Sequence, residues 1–272
     1  MLHNHLVTIF LVCRVNLNSL MKLNFLIITT ITTLLVSSFA CASPTKQKLV
    51  VGLGETLPPF VMSHTNSGLT LDIIKATLTP LGYEIEPRYY PYTRRAKGYA
   101  KGRIDILADI NLNTAKGNQL KGYISDEAYV YENVAITLKS KQFNFTKIAD
   151  LTYYSLILWP SAAIHLGEEY AKMAKANTQY YEVHDQSLQV KMLFSNKVDV
   201  IQMDKQSFDY YRSTLKDIDT TQSVDRFALF GKSPNGYLFK SKRLRDDFNI
   251  QLQKLKNSGQ YHKIFEKYKH AK

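Results

Sequence analysis

Cysteine is almost absent from this chain: two of its 272 residues are cysteines, Cys13 and Cys41, and both fall within the first 42. The rest can form no disulfide, which removes small crosslinked scaffolds from consideration. Glycine, at 12, and proline, at 8, are too few for collagen-like or low-complexity chains. Long apolar runs are missing as well. The stretch Leu23 to Val36 is broken by Asn24 and several threonines, and it falls short of the roughly 20 residues a membrane span needs. Acidic side chains are in deficit, 23 against 35 basic ones, for a formal charge of +12. That excess invites a nucleic-acid or membrane-surface reading.

What is present describes an ordinary globular chain. Hydrophobic residues make up 45% and charged ones 21%, which argues against disorder, and 18 Tyr with 13 Phe supply much of the surface to be buried. The start is different. Met21-Lys22 opens a short positive segment, the apolar run follows, and Ser37 to Ala42 offers small residues at Ala40 and Ala42, the pattern a signal peptidase reads. Residues 1–20 are read as an over-called start and 21–42 as a cleaved signal peptide, with lipid attachment at Cys41 the less favoured alternative because bulky Phe39 precedes it. Cleavage leaves 230 residues without cysteine, and the loss of Arg14 and Lys22 lowers the charge to +10.

From Lys48 the pattern alternates apolar runs with amphipathic stretches. Strands are predicted at Leu49–Leu53, Glu84–Tyr89 and Ile104–Leu107, and helices over residues 69–81 and 94–101, with Gly82 closing the first helix. After a long strand-like stretch, Tyr129–Leu138, the alternation restarts. Strands are expected at Tyr154–Leu158, Tyr180–Val183 and Val198–Gln202, helices at Ala162–Lys175 and Leu188–Phe194, and two tail helices meet at Ser258-Gly259. Such β-α-β order predicts an α/β protein with a parallel, doubly wound sheet in each unit.

Several chemistries are missing. There is no G-x-S-x-G elbow, H-E-x-x-H pair or phosphate loop, and Gly52-Leu53-Gly54 lacks the third glycine of a dinucleotide turn, Leu57 standing in its place. The histidines after residue 42 are scattered without metal-ligand spacing. Neither a cofactor nor a metal is expected.

The remaining motifs resemble, in order and spacing, the family 3 bacterial extracellular solute-binding proteins of the polar amino acid ABC-transporter type. They are Val51-Gly52 leading to Pro58-Pro59-Phe60; Gly68 before the helix with Asp72; Gly102-Arg103-Ile104-Asp105; Asn196-Lys197-Val198-Asp199-Val200 ahead of Asp204; and Asn257 to Tyr261 with Ile264 and Tyr268. The resemblance implies a two-lobed periplasmic binding protein fold of type II, hinged by two crossing segments near Tyr129–Glu132 and Ser233–Tyr237. Lobe 1 would hold residues 43–130 and 236–272, and lobe 2 residues 131–235. It implies a monomeric periplasmic receptor for a small polar solute, amino-acid-like or amine-containing, serving an inner-membrane ABC permease without catalysis. The alternatives are a cyclohexadienyl dehydratase-like cleft enzyme and an exported ligand sensor.

Site residues follow one by one from that resemblance. Amino-acid binders carry a carboxylate-gripping arginine in a T-x-x-R segment, but here the segment reads Thr114-Ala115-Lys116-Gly117. Asp204 falls where the family presents a carboxylate to an ammonium, or is simply a helix cap. Asp109 stands past the third strand at the cleft, or is an exposed strand end. Tyr92, Arg94 and Arg95 begin the short helix at the cleft wall, where an arginine would hold an anionic group, or form a solvated basic face. Ser161 sits at a strand-to-helix turn suited to anion binding, Trp159 at the same turn lies near the cleft or is simply core, and Phe60 would pack on an apolar part of the solute. No nucleic-acid partner is expected: residues 240–272 hold ten basic and three acidic side chains, so the charge excess lies mostly on the tail helices.

Overall fold

The structure, a computed structural model, describes residues 46–160 and 162–269. The expected signal segment and Ser161 lie outside the described residues, as does the side chain of Tyr92.

The apolar run after Lys48 becomes β1 (Gln47–Gly54), with Val51 and Leu53 fully enclosed. A short ribbon of β2 (Thr56–Leu57) and β3 (Val61–Met62) brackets the Pro58-Pro59 turn. Leu69, Ile73, Ile74, Thr77 and Leu78 all turn inward on α1 (Leu69–Leu78), and Gly82 ends the following 3-10 turn in a left-handed conformation, as the spacing predicts. β4 (Tyr83–Tyr90), α2 (Tyr92–Ala100) and β5 (Ile106–Ile110) complete the first alternation. β5 starts two residues later than predicted because Asp105 is held by Val50: its carboxylate accepts the Val50 N–H and its N–H donates to the Val50 carbonyl. α3 (Leu112–Gly117), whose N-terminus the Asn111 side chain caps, is too short for periodicity to reveal. β6 (Tyr123–Ile124) and β7 (Tyr129–Leu138) follow.

The second unit comprises β8 (Leu156–Leu158), α4 (Ala162–His165), α5 (Glu168–Ala176), β9 (Tyr180–Glu182), α6 (Gln186–Phe194), β10 (Val200–Asp204) and α7 (Lys205–Thr214). The single helix expected over 162–175 is two, because Gly167 between them has φ 97°, which no helix interior accommodates. Asp199 repeats the role of Asp105, accepting the N–H and hydroxyl of Ser155 beside it. The two motifs ending in these aspartates therefore do the same work: each ties the entry of a strand to its parallel neighbour. β11 (Val224–Phe227), β12 (Lys232–Phe239), α8 (Lys242–Asn257) and α9 (Gln260–Lys267) close the chain.

Ten of these strands form one sheet with the path β4-β1-β5-β12-β7-β10-β8-β9, β11 and β6 lying beside β7 and β12. The expectation of purely parallel units is corrected here. β12 runs antiparallel to β5, and β7 antiparallel to β10, because these two strands carry the chain back and forth between the units. Each changes partner along its length. Tyr129–Glu132 of β7 pairs with Lys232–Asn235 of β12, whereas Asn133 onward pairs with β10 and Gly236 onward with β5.

Burial respects the same division. Two clusters of buried side chains draw only on residues 49–129 and 237–268, and two others only on residues 134–211. The tail is bound into the first set: the Tyr268 hydroxyl accepts the Gly68 N–H and donates to Asp72, which also pairs with Lys267.

Candidate functional site

The crossing ladder has a strand end against each side. β5 reaches it at Ile110, opposite Gly236, and β10 reaches it at Asp204, opposite Asn133. In open α/β sheets ligands collect at the carboxyl ends of the parallel strands. Asp109 and Asp204 are the carboxylates there.

Asp109 is placed by a bulge. Tyr237 pairs with Ala108 and Gly236 with Ile110, so Asp109 is the unpaired extra residue, with φ 59° in the left-handed region that aspartate tolerates better than most. Its carboxylate pairs with Arg95 at 3.1 Å, the two side chains being 11% and 4% exposed, and its other oxygen accepts the Tyr131 hydroxyl at 2.9 Å. Arg95 also donates to the carbonyls of Ala108 and Asp109. Phe60, fully enclosed, stacks edge-on against Tyr131 with ring centroids 4.5 Å apart, and Tyr129 packs on both. Burial is the main reason the Tyr131 phenol is pushed well above its usual range, and the Asp109 charge adds to it.

Asp204 is set differently. One oxygen caps α7, accepting from the Gln206 and Ser207 N–H groups at 2.8 and 3.2 Å; the other accepts the Glu132 N–H at 2.8 Å. Burial pushes this carboxyl up to about 6, against the pull of those three N–H groups and the Lys205 charge. Lys205 itself turns to Glu132, which Lys232 also approaches. Thus two consecutive residues of the crossing strand, Tyr131 and Glu132, hold the carboxylates of the two units, one by its phenol and one by its backbone.

The structure brings Asp109, Arg95 and Phe60 together at this crossing, with Asp204 on its other side. Arg95 is engaged by Asp109, and Phe60 is a core side chain with no exposed surface. Arg94 is exposed on α2. Trp159 follows β8 and packs half-buried against the second unit's core. Sequence reasoning missed Tyr131 and Glu132. The period-2 pair Tyr129 and Tyr131 at the first crossing segment was the available signal, two phenols on one face of a strand. A cavity of about 500 Å³, lined by Gln47, Leu49, Tyr83 and Asp105 among others, lies at the opposite ends of the strands. Among the described residues no group of histidine, cysteine and acidic side chains has a metal-binding arrangement, and no helix is long and apolar enough to cross a membrane.

Two α/β units joined by partner-switching strands, with paired strand ends facing the crossing, define the two-lobed type II binding-protein class. The chain belongs to the bacterial extracellular solute-binding proteins, family 3, which match it over residues 49–271. Among solved structures it is similar to an ancestral arginine-binding protein bound to arginine, at 22% identity, covering 82% of this chain and 98% of that one, TM-score 0.65. A histidine kinase sensor domain with similarity to periplasmic binding proteins shares 17% identity over 82% and 96% of the two chains, TM-score 0.66. An amino acid ABC transporter substrate-binding protein from Streptococcus pneumoniae, bound to L-arginine, shares 22% identity over 82% and 95%, TM-score 0.62. No curated protein sequence matches.

Proposed function

We propose that this chain is an exported receptor that captures a small polar solute, amino-acid-like or amine-containing, in the cleft between its lobes and delivers it to an inner-membrane ABC permease. Residues 21–42 direct export to the periplasm, residues 43–130 and 236–272 make lobe 1, and residues 131–235 make lobe 2. The monomer works by capture and closure, not by catalysis. The observation that supports this most is the placement of Asp109 and Asp204 at strand ends on either side of the crossing, where rotation about residues 129–132 and 232–235 changes their separation. Asp204 contributes a buried carboxylate to a solute ammonium, Trp159 and the α4 start line the same lobe's wall, and Arg94 stands at the lobe 1 rim. An enzyme on this fold would need an acid/base pair facing the cleft, whereas the Asp109 oxygens are already taken as acceptors by Arg95 and Tyr131.

A solute screen tests the proposal. The cleaved protein is melted with amino acids, amines and small organic acids while fluorescence of Trp159, its single tryptophan, is followed. A solute at 100 times its dissociation constant stabilises by about 2.7 kcal/mol, or several degrees at roughly 2–4 °C per kcal/mol. Turnover of a dehydratase substrate without any such shift would overturn the receptor reading.

A further inference from the structure

Resting on that cleft reading, we infer that the solute's charged group is a cation alone: an amine that carries no carboxylate, with the Arg95–Asp109 pair enforcing the exclusion. Lobe 1 borders the crossing with one buried guanidinium, and its two terminal nitrogens bond inside the lobe. Nη1 donates to the Ala108 carbonyl at 2.9 Å, and Nη2 to the Asp109 carbonyl at 3.0 Å and carboxylate at 3.1 Å. The bulge at Asp109 is what brings that carboxylate back to its own lobe's arginine. A solute carboxylate arriving here has two options, and both are unfavourable. Taking the guanidinium strips a buried aspartate of its counter-ion, and leaving the pair intact sets two carboxylates side by side.

Among the described residues no other group on this side compensates. The Asn111 side chain already occupies the Thr114 N–H at the start of α3, Gly117 ends that helix with open space around it, and Lys116 and Arg94 are exposed, where a carboxylate is held weakly. Lobe 2 has the opposite character. Asp204 is 5% exposed, its bonds come from backbone N–H groups, and among the described residues it forms no ion pair, because Lys205 is drawn to Glu132. A buried carboxylate with no counter-ion favours a cation, and an ammonium supplies the missing charge.

Matched compounds distinguish the cases. Lysine with cadaverine, arginine with agmatine, histidine with histamine and tyrosine with tyramine are compared with the corresponding deaminated acids, by melting temperature and Trp159 fluorescence. At least one amine is expected to bind tenfold or more tightly than its amino acid, and no acid to bind. An amino acid that binds as well as its amine overturns this inference and leaves the receptor reading standing. If no compound of any series raises the melting temperature, the receptor reading falls and takes this inference with it. Asp109→Asn, which releases Arg95, is expected to shrink the amine's advantage at least tenfold, and an unchanged advantage removes the pair from the exclusion. The wild-type comparison is decisive whether or not that variant folds.

Discussion

At the scale of single residues the charge that matters is Asp204. Burial pushes its carboxyl up to about 6, whereas an aspartate in an unfolded chain titrates near 3.9. Between those values the folded chain holds a proton that the unfolded chain has released. The group's contribution to stability is therefore greatest below about pH 4 and falls as pH rises through about 6, by about 3 kcal/mol in all. The ionisable groups that act on it are Lys205, its neighbour, and through Lys205 the Glu132 carboxylate. Asp204→Asn keeps an acceptor for the α7 N-terminus and does not titrate. Relative to that variant, urea unfolding should show the wild type losing about 2 kcal/mol between pH 4 and pH 7. A difference that stays flat across this range contradicts the assignment. A cation seated on Asp204 displaces the same proton, so binding should tighten as pH rises from 4 to about 6 and level off above it.

At the scale of elements, the start of α1 shows how closely the first lobe is fitted. Gly68 precedes the helix with φ 121°, and a Cβ there would stand 2.4 Å from the Phe60 carbonyl oxygen. Backbone cannot yield as a flexible side chain does, and the conformation is itself strained for an L-residue. Gly68→Ala should therefore cost roughly 3 kcal/mol in denaturant unfolding. Gly117→Ala, with open space around it and no left-handed backbone, should be neutral or stabilise by up to about 1 kcal/mol. Equal effects of the two substitutions would refute the packing account. The glycine also explains its neighbour Phe60, whose carbonyl accepts the Thr70 N–H and whose ring backs Tyr131. In this way the α1 entry and the aromatic group at the strand crossing are one packed assembly.

At the scale of the whole molecule, the last residues complete the first core. Tyr261, Ile264, Phe265 and Tyr268 pack against side chains that begin at Leu49, and Tyr268 bonds to Gly68. Fully burying one such side chain is worth about 1.5–3 kcal/mol, and native domains have only about 5–15 kcal/mol in all. Removal of residues 259–272 should abolish the cooperative melt seen by circular dichroism; a truncated chain that melts like the full one rules this out. Part of the fold was legible in the sequence: periods of two and of 3.6 placed β1, β4, β5 and β7 to β10 and most of the longer helices but not β2, β3, β6, β11, β12 or α7, and the motifs holding Gly68, Asp105, Asp199 and Tyr268 resembled those of two-lobed solute-binding proteins. The site was less legible. Asp109 and Asp204 were visible as strand-end carboxylates, but nothing local says that a bulge turns one toward Arg95 or that the other receives the Glu132 N–H. Those facts depend on partners 14 and 72 positions away. Local pattern determined which residues form strands and helices, because side-chain periodicity and backbone propensity act within a few positions. Only the tertiary structure decided which charges are paired and which are left without a counter-ion, because burial and pairing are set by segments that meet when the two units cross.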